Sequence, residues 1–420
     1  MTNSFEEKLA PLRRIHKQYD TEKGDESVLE LVLALYPEWE KTKEHIRFLR
    51  FTDGITNNLY KAENRRPGLS QHQINEDAVL LRAYGHGTHL LIDRERECLS
   101  HSLCAENNLA PPLLARFDNG LMYKFIEGNV TSPADMRRPE VSRGIARKLG
   151  EWHAKIPTSL ITDGAKDDYA HITPGKPVPN LWTVISRWIA ALPSDTGVEI
   201  GRKAMLAGEL PWIVKHLGNV HGVGSSDPSG FVFSHCDLLS GNVIMHESQA
   251  NGDHASSNNG NPREMDVSFI DYEYATPAPA AFDIANHFAE WGGFDCDFSV
   301  LPTQRQRRDF LEAYLHSYHS FHQSQSGANG NSKRICDELD YLMAEVDAFR
   351  GMPGFYWGVW ALIQATISQI DFDYASYAQV RLGEYWAWKK TVGGDCGHLH
   401  DGKEVKQAEQ VREKRWRQES

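Results

Sequence analysis

FVFSHCDLLSGNVIM, residues 231–245, and VSFIDYEYATPAPAAFDIANHFAEW, residues 267–291, together decide how this chain is read. Residues 231–234 form a short apolar, β-like run that delivers His235, Cys236 and Asp237, with Asn242 following in the same loop. A second β-rich run, 243–245, comes at once, and a third, 267–270, ends on Asp271. The order is strand, acidic loop, strand, acidic strand end. Phosphoryl transfer to an alcohol needs such an order. One carboxylate accepts the hydroxyl hydrogen bond and orients the oxygen. An amide oxygen and a second carboxylate hold Mg²⁺ on the phosphates, because hard cations take oxygen ligands. Asp237, Asn242 and Asp271 suit those roles in turn. His-x-Asp-x-x-x-x-Asn alone recurs by chance; between apolar β runs, with an acidic strand end downstream, it is far more specific.

Downstream stand Asp271-Tyr272-Glu273-Tyr274 and Phe282-Asp283-Ile284-Ala285-Asn286-His287-Phe288-Ala289-Glu290. With the loop before them, these segments resemble the catalytic region of the choline/ethanolamine kinase family, within the wider protein-kinase-like phosphotransferases. The resemblance runs from about Leu29 to about Tyr385. It implies an α+β, bilobal protein-kinase-like fold, with a small antiparallel-sheet N-lobe and a mostly helical C-lobe. The expected division is an arm at 1–26, a nucleotide-binding N-lobe at 27–127, a catalytic and amine-binding C-lobe at 128–402 and a charged tail at 403–420.

Bulk properties agree. A chain of 420 residues has room for a bilobal enzyme, and its composition is that of a globular protein. The net charge of −12 argues against a general nucleic-acid surface and suits a cationic substrate. It does not suit ATP, so a positive nucleotide cleft has to be built locally. The six cysteines are scattered without a C-x-x-C pair and read as free thiols in a reducing compartment. The N-terminus is too polar for a signal peptide, and no apolar run approaches the ~20 residues of a membrane span. A cytoplasmic enzyme without nucleic-acid partners or membrane insertion is expected, and a homodimer stays open.

Toward the N-terminus, a strand is expected near 14–19 and a helix over 28–36. Residues 47–51 and 59–62 read as strands around Asp53-Gly54-Ile55-Thr56-Asn57. Read from the residues, this is a plain hairpin turn or a phosphate-covering loop. The resemblance favours the latter, although the family's first glycine is Asp53 here. Residues 63–77 read as a polar hairpin loop. In the strand 79–85 the family carries a phosphate-holding cation, which is Arg82. The helix 93–107, with Asp93 as a candidate N-cap, offers Glu97 as its partner. Asn119-Gly120 marks a hairpin, and the strand leaving it at Lys124, Phe125 and Ile126 is the expected hinge, whose backbone meets the adenine edge.

After Gly128 the pattern turns helical. His153 reads as a packed helix residue. The Asn/Ser/Gly-rich segment 246–264 cannot bury a core and reads as a disordered hairpin tip. Asp283, Asn286, His287 and Glu290 share one helix face. Asp283 and Asn286 are expected to brace the catalytic loop, and Glu290 to face a bound cation. Trp357, Trp360 and Gln364 share a face of the helix 354–370, and Tyr377 lies beyond. Two tryptophans on an apolar helix are usually core. The family, however, forms its ammonium pocket from two tryptophans at this spacing and a downstream tyrosine, which implies Trp357, Trp360 and Tyr377 with Tyr274 and Glu290. Ring faces attract an ammonium through their quadrupole. His398 and His400, beside Asp395, Cys396 and Asp401, read as a solvated turn, and 405–416 as a mixed-charge helix that packs loosely or lies exposed.

The expected reaction is transfer of the ATP γ-phosphoryl group to ethanolamine, with ATP and Mg²⁺ as cofactors, opening the CDP-ethanolamine route to phosphatidylethanolamine. Asp237 is the base, His235 holds the loop, and Asn242 and Asp271 bind the metal. Within the family, Leu238-Leu239, Ile370-Asp371-Phe372-Asp373 and the run from Tyr84 to Arg94 fit the ethanolamine branch. Trp291-Gly292-Gly293-Phe294 lacks the aromatic run of choline kinases, and Asp295 and Asp297 add acidic character. A choline or dual-specificity kinase is the alternative. An aminoglycoside-type phosphotransferase predicts an acidic acceptor pocket in place of the tryptophans. A non-catalytic nucleotide-binding scaffold conflicts with the intact acidic set, and a metal-dependent hydrolase lacks a second histidine pair at ligand spacing.

Overall fold

Val28, Leu31, Val32 and Leu35 fall on one face of a helix, and burial of that face builds the first core. In the computed structural model, which describes residues 9, 11–51, 57–85, 87–163, 165–218, 230–246, 264–323, 332–394 and 403–420, helix α1 (Asp25–Leu35) packs with Tyr60, Ala62, Val79, Leu81 and Met122. These belong to a six-stranded sheet of order β1-β5-β6-β4-β3-β2. Its strands are β1 (Arg14–Ile15), β2 (Ile46–Phe51), β3 (Asn57–Asn64), β4 (Val79–Tyr84), β5 (Leu113–Phe117) and β6 (Gly120–Lys124). The sheet is antiparallel except at its edge, where β1 runs parallel to β5. Residues expected as a hairpin loop contain helix α2 (Gln71–Asp77) instead. Ser70 accepts from Gln73 N while Gln73 accepts from Ser70 N, a capping box that Ser-x-x-Gln announces in the sequence. Helix α3 (Arg94–Glu106) starts on Asp93, whose side chain accepts from Arg96 N at 3.1 Å.

The chain divides into two compact units, Met1–Glu127 with Ile367–Asp371, and Gly128–Thr366 with Phe372–Ser420. The second unit is mostly helical. Its longer helices are α4 (Pro139–Lys155), α5 (Leu181–Ala191), α6 (Gly197–Leu217), α7 (Ala280–Ala289), α8 (Gln304–Gln323), α9 (Ser332–Phe349), α10 (Met352–Ile367), α11 (Tyr374–Thr391) and α12 (Lys403–Arg417). Two small sheets carry the functional loops. Strand β9 (Val243–Met245) lies between β7 (Asn129–Val130) and β10 (Val267–Phe269), and β8 (Val232–Ser234) pairs with β11 (Thr276–Ala278), all antiparallel.

Helix α12 is not loosely packed. Arg412 and Trp416 are buried; Arg412 donates to Glu384 O at 3.0 Å, and Trp416 Nε1 to Asp347 Oδ1 at 3.0 Å. Its charged composition hides these two anchors, one helical turn apart. No helix among the described residues is long and apolar enough to cross a membrane.

Residues 247–263 and 395–402 lie outside the described residues, and with them most of the polar insert and the His398/His400 cluster. The ends of the insert meet. Met245 pairs with Val267, and His246 N donates to Asp266 O at 3.0 Å. Deleting residues 249–261 is therefore expected to leave melting temperature and turnover unchanged, since loop length costs little closure entropy. A fall in Tm beyond about 3 °C, or lost turnover with the fold retained, would assign the insert a further role.

Candidate active site

The loop between β8 and β9 is held in a conformation its residues do not favour. Cys236 has φ of 63°, and Asp271, just past β10, has φ of 67°, both in the left-handed region. Such positions cost roughly 1–3 kcal/mol and persist only where the surroundings enforce them. At Cys236 both backbone groups are clamped from α7: its N–H donates to Asp283 Oδ1 at 2.8 Å, and its carbonyl accepts from Asn286 Nδ2 at 2.9 Å. Asp283 Oδ2 also accepts from His235 N at 2.8 Å and lies 3.0 Å from His153 Nε2, while His153 Nδ1 lies 2.8 Å from Tyr314 Oη. His287 donates through Nδ1 to Leu238 O at 2.8 Å. The polar face of α7 is thus buried against the backbone of the loop. Asp283 and Asn286 sit where bracing was expected. His287, on the same face, joins them, and so does His153, which spacing along the helix does not reveal.

His235 is fully buried. Its Nε2 donates to Ile270 O at 3.0 Å and its Nδ1 accepts from Asp237 N at 3.3 Å. Burial lowers its pKa, consistent with a neutral ring carrying its proton on Nε2. It ties the loop to the strand end that precedes Asp271 and is a positioning group.

Asp237 is 6% exposed. Asn242 Nδ2 donates both to Asp237 Oδ2 at 3.0 Å and to Asp237 O at 2.8 Å, while Asp237 Oδ1 is buried and accepts no hydrogen bond. Burial raises the carboxyl well above its usual range, reinforced by the charges of Asp271, Glu290 and Glu273. A buried carboxylate oxygen without a donor, beside further carboxylates, is unfavourable unless a ligand supplies a proton donor or a cation. The donor set fits Mg²⁺. The Asn242 amide nitrogen is committed to the loop, leaving its oxygen for a cation, and the Asp271 carboxylate offers hard oxygens of the kind Mg²⁺ takes. Among the described residues no three His, Cys, Asp or Glu side chains cluster into an all-protein cage. Mg²⁺ bound on phosphates does not require one.

In the first unit, Arg82 on β4 is buried, with Nη1 3.2 Å from Glu97 Oε1. The neighbour Arg96 is buried as well, so Glu97 does not belong to a solvated face. A second guanidinium joins this carboxylate: Arg94 Nη1 donates to Glu97 Oε2 at 2.8 Å and stacks 3.9 Å from the centre of the Tyr84 ring. The i,i+3 spacing of Arg94 and Glu97 is the signal that would have found it. Asn57 opens β3 opposite Tyr84, and its Oδ1 accepts from Gly85 N at 3.4 Å. Asp53, Gly54, Ile55 and Thr56 lie outside the described residues. Lys124 ends β6 and donates through Nζ to Glu76 O at 2.8 Å; Phe125 N donates to Ala78 O at 3.2 Å, and Ile126 follows, partly buried.

Trp357 and Trp360 on α10 do not sit in undifferentiated core. Trp357 Nε1 donates to Asn286 Oδ1 at 2.8 Å, so the amide that clamps Cys236 also anchors this indole. Trp360 Nε1 donates to Tyr274 Oη at 2.8 Å. The two indoles meet edge to face at 5.4 Å, and Trp357 meets Tyr274 at 5.6 Å. From Trp360 the rings continue through Tyr374 and Phe372 to Tyr377. Phe294 lies 6.1 Å from Tyr377 and 5.9 Å from Phe372, so the loop after Glu290 does contribute a ring. Asp295 and Asp297 are exposed, and Asp297 caps its own loop through Ser299, so neither adds a buried charge. Glu290 is buried but pairs with Arg381, whose Nη2 donates to Glu290 Oε1 at 3.3 Å.

The model of the choline/ethanolamine kinase family matches residues 48–386. The chain is 33% identical over 378 residues to ethanolamine kinase 1 of Homo sapiens, covering 87% of this chain and 72% of that protein. To the probable ethanolamine kinase of Nematostella vectensis it is 31% identical, covering 90% and 96%. Among solved structures, an ethanolamine kinase of Plasmodium vivax superposes with TM-score 0.61 at 25% identity, covering 83% of this chain and 85% of that one. A choline kinase of Cryptosporidium parvum, at TM-score 0.58 and 18% identity over 88% and 96%, shares the fold.

Proposed function

The chain belongs to the choline/ethanolamine kinase family, and from that premise we propose that it transfers the γ-phosphoryl group of ATP to the hydroxyl of ethanolamine. The product, phosphoethanolamine, would feed the CDP-ethanolamine route to phosphatidylethanolamine. The observation that carries this reading is the doubly used Asn286. One amide holds the loop bearing Asp237 through Cys236 O at 2.9 Å and the Trp357 indole at 2.8 Å. On this reading the proposed base and the proposed cation-binding rings share a support, which suits an amino-alcohol acceptor.

Asp237 would accept the hydrogen bond of the substrate hydroxyl through Oδ1, which takes no hydrogen bond from the protein, and aim the oxygen. Phosphoryl transition states are loose, so orientation counts for more than proton removal. Asn242 and Asp271 are the groups suited to hold Mg²⁺, which when bound offsets charge on the phosphates. Arg82, kept in place by Glu97, is the proposed phosphate contact, with Asp53–Asn57 as the proposed phosphate loop and Lys124, Phe125 and Ile126 as the proposed adenine-facing stretch. Trp357, Trp360, Tyr377 and Tyr274 offer ring faces to the ammonium.

Phosphorylation of ethanolamine, its methylated derivatives, choline and an aminoglycoside with Mg²⁺-ATP tests the reading. A primary ammonium offers three N–H donors to acceptors in the pocket, and a quaternary one offers none. We expect kcat/KM to be highest for ethanolamine and to fall with each added methyl. Size discrimination amounts to about 1–3 kcal/mol per methylene-sized change, so measurable choline turnover is expected too. Choline equal to or better than ethanolamine would reject the preference, and turnover of the aminoglycoside alone would reject the substrate class.

A further inference from the structure

Lys124, Phe125, Ile126 and Glu127 carry the chain out of β6 at the end of the first unit, and three of the four are held by β3 and α2. Lys124 Nζ donates to Glu76 O at 2.8 Å. The ammonium of Lys61, on β3, lies 3.7 Å from the centre of the Phe125 ring. Glu127 Oε1 accepts from Asn75 Nδ2 at 2.8 Å, and its Oε2 lies 2.8 Å from His72 Nδ1, both partners on α2. Ile126, between these held residues, makes no backbone hydrogen bond among the described residues.

The anchor of this grip is a buried cation. Lys61 is 6% exposed, and a buried ammonium is costly unless it is paired. Its Nζ lies 2.6 Å from Glu63 Oε1 and donates to Asn75 Oδ1 at 2.7 Å, with the Phe125 ring face beside it. Glu63 is met in turn by Arg65, whose Nε donates to Oε2 at 2.8 Å. An ammonium only donates and a carboxylate only accepts, so the Asn75 amide fits one way round: oxygen to Lys61, nitrogen to Glu127. Gln71 Nε2 adds a second donor to that oxygen at 3.0 Å. The amide therefore ties Glu127 to Lys61, and the ammonium ties both to the Phe125 ring. An apolar side chain in place of Lys61 would pack against the ring without fixing the amide or Glu127.

We propose that Lys61 and Asn75 are positioning residues for the nucleotide base. They hold Phe125 and Glu127, and so keep the open N–H and C=O of Ile126 aligned for the edge of the base. Hydrogen bonds weaken steeply when misaligned, so a backbone reader needs such a support. The inference rests on the reading of Lys124, Phe125 and Ile126 as the adenine-facing stretch.

Calorimetric binding of ADP and of tripolyphosphate to the full chain carrying Asn75→Asp tests it. The substitution keeps the shape and puts an acceptor where Glu127 needs a donor. The Kd for ADP should rise about tenfold, equivalent to ~1.4 kcal/mol. Tripolyphosphate has no base, so its Kd should stay within about twofold of wild type. The KM for ATP should rise with the Kd for ADP, and the KM for ethanolamine should not move. Asn75→Ala, which deletes the amide without adding charge, should show the same split more weakly. Combining Asn75→Asp with Glu127→Gln should restore ADP affinity, because an amide at 127 can donate to a carboxylate at 75. An unchanged Kd for ADP in both single variants, an equal loss for tripolyphosphate, or a loss that Glu127→Gln does not restore would overturn the proposal. A wild-type chain that binds no ADP would overturn the reading of function as well. One that phosphorylates ethanolamine, while both single variants bind ADP as it does, would overturn this inference alone.

Discussion

Asp237→Ala is expected to reduce phosphoryl transfer by at least ~10²–10⁴-fold, the usual contribution of a positioned base. The loss should lie in kcat, with nucleotide affinity nearly intact, because Asp237 is the sole carboxylate in the loop and its Oδ1 is held buried without a donor. Asp237→Asn should fare little better, since its amide cannot take up a proton. The wild-type pH profile offers a second check. With its pKa raised by burial and then by Asp271, Glu290 and Glu273, Asp237 loses its charge at a higher pH than an ordinary carboxylate. If Asp237 acts ionised, as proposed, kcat/KM should fall on the acid side at a pH above about 4, the unperturbed value. Turnover of Asp237→Ala within a few-fold of wild type would remove Asp237 from the role given to it.

Asp283→Ala should produce the largest loss of stability. The wild-type carboxylate accepts from two buried backbone N–H groups, at 2.8 Å each, and faces the His153 ring. Removing it strands these donors, each at about 1–3 kcal/mol, for a total on the order of 3–5 kcal/mol. Cys236 would lose half of the clamp that holds its left-handed backbone, and Asp237 would move with it. Turnover should therefore collapse in molecules that remain folded. Burial alone would raise the Asp283 pKa, but the hydrogen bond and charge of His153, with His235 and Cys236, outweigh it and hold the group below its usual value. A depressed carboxyl stabilises the fold above its unfolded pKa, and that contribution is lost as pH falls through the folded one. Wild type should thus lose stability in acid more steeply than Asp283→Asn. A melting temperature for Asp283→Ala within about 2 °C of wild type would contradict the bracing role.

Local structure is legible wherever the chain is its own template. Alternation and turn chemistry marked β4, β5 and β6, and helical spacing set Asp283, Asn286, His287 and Glu290 on one face, because both depend only on near neighbours. Helix α2 stands where a polar hairpin loop is expected, although Ser70 and Gln73 announce its start. Helix α12 is expected from its mixed charge to pack loosely or lie exposed, whereas Arg412 and Trp416 are buried.

By itself the sequence determined the order of the chemistry: an acidic loop between strands, a second carboxylate at a strand end, and a polar helix face to follow. Tertiary structure alone decided what that face meets. His153 reaches Asp283 across 130 positions, Trp357 reaches Asn286 across 71, and Arg381 reaches Glu290 across 91. Spacing along a helix says which side chains point together but not what is packed opposite. Charge counting could not foresee that the protein's own guanidinium would stand at Glu290, where a substrate cation was expected. Nor could it foresee the contact of α10 and α11 at Gly354, where a Cβ would lie 2.4 Å from Arg381 O and 2.9 Å from Glu384 Cβ.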